Sequence, residues 1–241
     1  MTHPETLRSE LKVVSFDLYD TLLDREARLV PALDALLDSE DADAEESDLD
    51  PEVFLRRYLA MHFRDSLVDS LIDGPHTPFK EITRRALHYR FEQAGIEVRD
   101  DDVRAVVAAW NDLPTYPEVA DAMALLGEEY ELVGLSNGDP DMLDAVVEAS
   151  EIELDGTVSV AEAGAYKPHP APYRLLCERY DVVPHEVLFV SAHTFDIVGA
   201  KAVGMHGGFL NRHGNPYGGW PQQPDLRVES ASELAAVLVG E

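Results

Sequence analysis

Four short apolar runs, each closing on a polar residue, constrain this chain more than any other feature. They are KVVSFDLYD at the start, ELVGLSNGD (131–139), EVLFVSAH (186–193) and HGGFLN (206–211), and helical patterns separate them. In the first, Val13, Val14 and Phe16 form an apolar run that stops at an acid. Strands that alternate with helices assemble into a parallel sheet covered on both faces. The expected fold is therefore α/β, a Rossmann-like parallel-sheet core flanked by helices. Such sheets bind their ligands at the carboxyl ends of the strands, where Asp17, Ser136, Asn137, Ser191 and His193 fall.

Between the first run and the second the pattern changes. FLRRYLAMHFRDSLVDSL, FKEITRRALHYRFEQAG and DDVRAVVAAWNDL carry apolar residues at helical spacing, with no strand pattern among them. Residues 24–115 thus read as an inserted helical cap subdomain on a core built from residues 1–23 and 116–241. The acid-rich stretch DSEDADAEESDLD (38–50) reads as a solvated loop.

Composition narrows the function classes. With 241 residues, 45% of them hydrophobic, the chain can bury a full core. No apolar run approaches the roughly 18 residues that span a bilayer, and MTHPETLRSE has no signal-peptide pattern, so a cytoplasmic protein with no membrane partner is expected. The lone Cys177 sits on the apolar stripe of PYRLLCERY and reads as a core thiol. Forty-seven acids against 19 bases give a formal charge of −28, and no basic stripe is present to meet nucleic-acid phosphates. Such acidity fits either a high-salt cytoplasm or ordinary solubility. It also repels an anionic substrate, a field that molar salt screens within about 3 Å. Activity on an anion is therefore expected to rise with salt toward molar concentrations; a monotonic fall from low salt, with the fold intact, would contradict this.

The chemistry lies in a series of short motifs. Asp17, in FDLYDTL, is a carboxylate at a strand end, suited to act as a nucleophile, with Thr21 placed either to cap the next helix or to hydrogen-bond a carboxylate. LSNGD offers the Ser136 hydroxyl and the Asn137 amide. GAYKPHPAPY offers Lys167 and Tyr173, and VSAHTFD offers Ser191, His193 and Asp196. Each is weak alone, since strand-end acids and Ser-Asn-Gly are also turn formers. Their joint order resembles the haloacid dehalogenase superfamily over essentially the whole chain. The tail LNRHGNPYGGWPQQPDLRV is similar to the last segment of its type II (S)-2-haloacid dehalogenase branch. Most superfamily members are magnesium-dependent phosphatases with a second Asp two residues after the nucleophile and a Gly-Asp-x-x-x-Asp stretch. Here Tyr19 and Ser191-Ala192 occupy those places, leaving Asp196. A hard cation needs several oxygen ligands. The resemblance therefore implies a dehalogenase with no metal and no cofactor. Alternatives are a small-metabolite phosphatase or a non-catalytic binding member of the same fold.

The resemblance implies that Asp17 displaces halide from C2 of a small anionic 2-haloacid, forming an ester that water then hydrolyses. It assigns Ser136 and Lys167 to positioning and charge balance, and Asn137, with a cap arginine, to the departing halide. That arginine matches Arg57, with Arg56 as the alternative. Thr21 and Tyr173 support the nucleophile and substrate, Tyr19 lines the substrate site, Ser191 donates a hydrogen bond near Asp17 and Lys167, and Asp196 orients or activates the water. A homodimer is also implied. Two positions depart from the family pattern. His193 stands where Asn is usual, and an imidazole accepts protons near neutral pH, so His193, oriented by Asp196, is a candidate water-activating base. Asp20 stands where Gly is common and most simply caps the following helix.

Overall fold

The computed structural model describes residues 4–37, 50–150 and 152–240, so most of the acid-rich stretch (38–49) lies outside the described residues. After α1 (Pro4–Glu10), the first apolar run forms β1 (Val13–Phe16), buried along its whole length. Four helices follow: α2 (Arg25–Leu37), α3 (Pro51–Leu71), α4 (Phe79–Gln93) and α5 (Asp100–Ala109). The alternation then resumes with α6 (Val119–Gly127), β2 (Glu131–Ser136), α7 (Pro140–Ala149), β3 (Gly156–Ser159), α8 (Val160–Ala163) and α9 (Pro170–Arg179). It ends with β4 (Val187–Ser191), α10 (Thr194–Ala202), β5 (His206–Leu210), β6 (Leu226–Val228) and α11 (Ala231–Ala235). Among the described residues no helix is long and apolar enough to cross a membrane.

The strands form one parallel sheet in the order β3-β2-β1-β4-β5-β6. β1 is its pivot, with Phe16 opposite Gly134 of β2 on one side and Val190 of β4 on the other. The chain winds outward from β1 through β2 to β3, then crosses back to β4 and winds the other way. The boundary between β1 and β4 is thus the point where a doubly wound sheet opens its crevice. Two strands escaped the sequence reading. β3 has only half-buried residues in its first half, and β6 is three residues long with an exposed arginine at its centre, so neither carries an apolar run.

The four inserted helices have local causes. The Asp50 side chain accepts from the Glu52 and Val53 N–H groups at 2.9 and 3.0 Å and starts α3, with Pro51 at the first helical position. Phe54 of α3 and Phe91 of α4 are fully buried with ring centroids 4.7 Å apart, and burying such a side chain contributes roughly 1.5–3 kcal/mol. The start of α4 is held from the sheet side: Asp139, after β2, accepts from the Phe79 N–H at 2.8 Å and the Lys80 N–H at 3.1 Å. A negative side chain there also suits the helix dipole. The inserted helices are thereby fastened over the carboxyl ends of the strands.

Candidate active site

Asp17 follows β1 directly, and its N–H still donates to the Val190 carbonyl at 2.9 Å, so the sheet fixes where the carboxylate begins. The next turn is tight, with the Leu22 and Leu23 N–H groups both bonded to the Leu18 carbonyl at 2.9 Å. That turn brings Thr21 back under the carboxylate. Its hydroxyl donates to Asp17 Oδ2 at 2.9 Å and accepts the Ala192 N–H at 3.0 Å, so of its two expected uses the structure shows the carboxylate bond. Arg212 supports the turn from beneath, its Nε and one terminal nitrogen donating to the Thr21 carbonyl at 3.2 and 2.9 Å.

Lys167, in the segment before α9, is 1% exposed, and its ammonium spends its three hydrogens on Asp17 Oδ1 (2.8 Å), the Leu135 carbonyl (2.8 Å) and Asp196 Oδ2 (3.0 Å). Burial alone would pull its pKa down, but the charges of Asp17 and Asp196 prevail and hold it above the ordinary lysine value. The ammonium thus stays charged between the two carboxylates. Asp196 lies in the first turn of α10 and is fully buried. The Ser191 hydroxyl donates to its Oδ2 at 3.0 Å, and the Tyr173 hydroxyl donates to its carbonyl at 3.1 Å and its Oδ1 at 3.3 Å. Tyr173 can approach because residue 199 of α10 is glycine: a Cβ there would lie 2.6 Å from the tyrosine oxygen.

A cavity of about 230 Å³ opens onto this cluster. Asp17, Tyr19, Asn137 and His193 line it from the sheet side, and Arg25, Leu59, Ala60 and His62 from the inserted helices. Phe63, Phe79, Trp110 and Phe195 make the rest of the wall aromatic. The Tyr19 ring meets Trp110 edge-on at 4.9 Å and Phe79 at 5.8 Å. Burial, then the charges of Asp17 and Asp139, push the Tyr19 phenol well above its usual range, so it stays protonated. Its hydroxyl passes close over Gly138, where a Cβ would sit 2.6 Å away. Burial holds the His62 imidazole down to about 3, so it is neutral. Asn137 is oriented by the Lys167 N–H, which donates to its Oδ1 at 3.0 Å and leaves the amide hydrogens for other partners. Among the described residues no three His, Cys, Asp or Glu side chains gather to hold a metal ion.

Several expectations need correcting. Arg57 and Arg56 lie on an exposed face of α3 and do not line the cavity; the arginine that does is Arg25, the first residue of α2. Helical spacing could not separate them, because Tyr58 and Leu55 take the inward face beside them. Asp20 does not cap α2. Asp24 does, accepting the Ala27 N–H at 3.0 Å, while Asp20 has a left-handed backbone (φ 63°) and pairs with Arg25 at 2.5 Å. His193 is not oriented by Asp196. Its Nε2 lies 3.2 Å from the Tyr19 carbonyl, 3.6 Å from Asp20 and 3.8 Å from Asp17. A carbonyl oxygen only accepts, so Nε2 carries a hydrogen and Nδ1 is the nitrogen left to take one. Ser136 and Tyr173 are buried behind the cavity wall, and Ser136 Oγ accepts the Gly138 N–H at 3.5 Å.

Known proteins resemble this chain in sequence and in fold. The (S)-2-haloacid dehalogenase 1 of Pseudomonas sp. (strain CBS-3) is 35% identical over 171 residues, covering 69% of this chain and 74% of that protein. The (S)-2-haloacid dehalogenase 4A of Burkholderia cepacia is 31% identical over 209 residues, covering 86% and 85%. Among solved structures, the L-2-haloacid dehalogenase from Xanthobacter autotrophicus with chloropropionic acid covalently bound superposes with a TM-score of 0.81 at 27% identity, covering 95% of this chain and 99% of that one. A family model described as haloacid dehalogenase-like hydrolase matches residues 11–204, most of the length, and the chain belongs to the haloacid dehalogenase-like hydrolases.

Proposed function

We propose that this hydrolase releases halide from a short 2-haloalkanoic acid and gives the 2-hydroxy acid, using Asp17 as nucleophile. The observation that carries the reading is the setting of Asp17: one oxygen is held by an ammonium, the other by a hydroxyl, at the wall of a small cavity that Tyr19, Phe63, Phe79, Trp110 and Phe195 make largely aromatic. Apolar walls strip water from a carboxylate and from an organic halide together, and the fixed donors keep the carboxylate aimed. An Asp17 oxygen attacks C2, a C–O bond forms as the carbon–halogen bond breaks, and the halide leaves with the bonding pair. Water then adds to the Asp17 carboxyl carbon, and the alkyl–oxygen fragment leaves as the hydroxyl of the product. Residues 24–115 act as the cap over a core of residues 1–23 and 116–241. The relative with covalently bound chloropropionic acid supports the ester route.

The second step needs a proton acceptor. Asp196 is occupied by Lys167, Ser191 and Tyr173, whereas His193 lines the cavity beside Asp17 with Nδ1 not committed to the Tyr19 carbonyl. His193 is thus the base, with Asp196 fixing the ammonium that positions Asp17. In single-turnover experiments His193→Asn should slow ester decay by about 10²-fold or more while leaving ester formation nearly unchanged. Unchanged decay would remove His193 from this role. The reading as a whole is tested by incubation with 2-chloropropanoate in the presence of a chelator. Chloride release, with a mass increase on the Asp17 peptide, is expected. Magnesium-dependent phosphate release from a generic ester, without chloride release, would overturn it.

A further inference from the structure

His193 Nε2 has three oxygens around it: the Tyr19 carbonyl at 3.2 Å, Asp20 Oδ2 at 3.6 Å and Asp17 Oδ2 at 3.8 Å. The residue is held elsewhere too, its N–H donating to Ser191 Oγ at 2.9 Å and its ring stacked on Phe195 with centroids 5.3 Å apart. Asp20 stands in the nucleophile turn with a left-handed backbone, φ 63°, a region that favours glycine and tolerates Asp or Asn, and its N–H is bonded to the Leu23 carbonyl at 2.8 Å. The oxygen that faces His193 also pairs with Arg25 at 2.5 Å, and an ionised carboxylate oxygen has room for both partners. Burial raises the Asp20 pKa, while the charges of Arg25 and His193 oppose that rise and favour the carboxylate. The Asp20 and His193 side chains are 17% and 24% exposed, so water screens their contact only in part.

Ester formation changes the charge around this imidazole. While Asp17 is free, two carboxylates lie within 4 Å of Nε2. Once Asp17 carries the alkyl group it is a neutral ester. The Asp196 charge is met by Lys167 at 3.0 Å. Among the described residues, Asp20 is then the carboxylate left against His193, at the stage when the imidazole has to accept a proton.

We propose that Asp20 is the positioning residue of His193 in ester hydrolysis, the Tyr19 carbonyl fixing the hydrogen on Nε2 and the Asp20 carboxylate stabilising the imidazolium that forms when Nδ1 takes a proton. This rests on the reading of Asp17 as nucleophile and His193 as base given above. A water O–H bond breaks, its proton passing to Nδ1 while its oxygen bonds to the Asp17 carboxyl carbon. As that adduct collapses, the bond from this carbon to the alkyl oxygen breaks and the departing oxygen takes the proton from Nδ1. The Asp17 carboxyl then loses its own proton to solvent. Nε2 keeps its hydrogen throughout. A carboxylate at one imidazole nitrogen, with proton transfer at the other, holds the tautomer and stabilises the charged ring.

The test is a set of quenched single turnovers at fixed ionic strength, with enzyme in excess over 2-chloropropanoate and the mass of the Asp17 peptide followed in time. Asp20→Asn keeps the side chain's size and an acceptor for Arg25, suits the backbone and removes the charge. It should slow ester decay about tenfold while ester formation stays within about threefold. Asp20→Gly, at home at φ 63°, should slow decay to the same degree, because it loses the same charge. In a His193→Asn background, Asp20→Asn should change decay by less than about twofold, since no imidazolium remains to be stabilised, whereas a structural role would act in both backgrounds. Decay unchanged in Asp20→Asn overturns the proposal and leaves His193 as the base. Equal slowing with and without the imidazole, or formation slowed as much as decay, also overturns it. Decay unchanged in His193→Asn removes the base and this proposal with it, while the absence of any ester in the unsubstituted protein fails the functional reading itself.

Discussion

Lys167→Met should leave a protein with no measurable turnover and a stability lower by about 3–5 kcal/mol, a larger structural effect than any other change at the site. The reason is the placement of the ammonium between two buried carboxylates. Asp17 and Asp196 are 4% and 0% exposed, and Lys167 reaches both within 3.0 Å. Methionine fills much of the stem's volume but supplies no charge, so two carboxylates and the Leu135 carbonyl lose their donor together. Because Lys167 titrates above its unfolded value, its stabilising contribution is fully present at and below neutral pH and is lost as pH rises through the folded-state value, beyond the ordinary lysine range. Denaturant unfolding at neutral pH measures the difference. A Lys167→Met protein as stable as the parent there would mean that the carboxylates find other partners or take up protons at little cost. Restoring stability through a second change, Asp196→Asn, would confirm that the cost comes from the unpaired buried charges.

The central strands were legible because a buried parallel strand is built mainly from apolar residues, and β1 (VVSF), β2 (ELVGLS) and β4 (VLFVS) each carry such a run. β3 and β6 were not, because at the sheet's edges pairing is carried by backbone rather than by apolar side chains. At the site, residues placed by the sheet could be read from their motifs: Asp17, Thr21, Lys167, Ser191 and Asp196 meet in one hydrogen-bonded cluster. What could not be read is whatever the inserted helices contribute, since that depends on how α2 to α5 are rotated and seated on the sheet. Arg57 and Arg25 are both helix arginines, and only the packed structure shows that Arg25 is the one that lines the cavity with Asp17. Asp139 shows the same limit. In sequence it precedes Pro140 as an ordinary helix-start residue, but its side chain makes no capping bond to α7 and instead holds α4, whose first residue, Phe79, lines the cavity.

Asp17→Asn should reduce turnover by at least about 10⁴-fold and abolish the ester, while changing stability far less than Lys167→Met. The amide keeps the carboxylate's shape, and its oxygen still accepts from Lys167, whose charge is still met by Asp196. What is lost is the negative charge and one of the two oxygens, and with them the nucleophile that the proposed attack on carbon requires. The contrast between the two variants separates a group that performs a bond change from one that holds it in place. Isotope placement makes the assignment sharper. With enzyme in excess over 2-chloropropanoate in heavy-oxygen water, a single turnover should put solvent oxygen into the Asp17 carboxylate and none into the product, because the product's hydroxyl oxygen originates in Asp17 and water enters at the Asp17 carboxyl carbon. Solvent oxygen in the product of that first turnover would mean that water attacks C2 directly, with Asp17 serving only as a base.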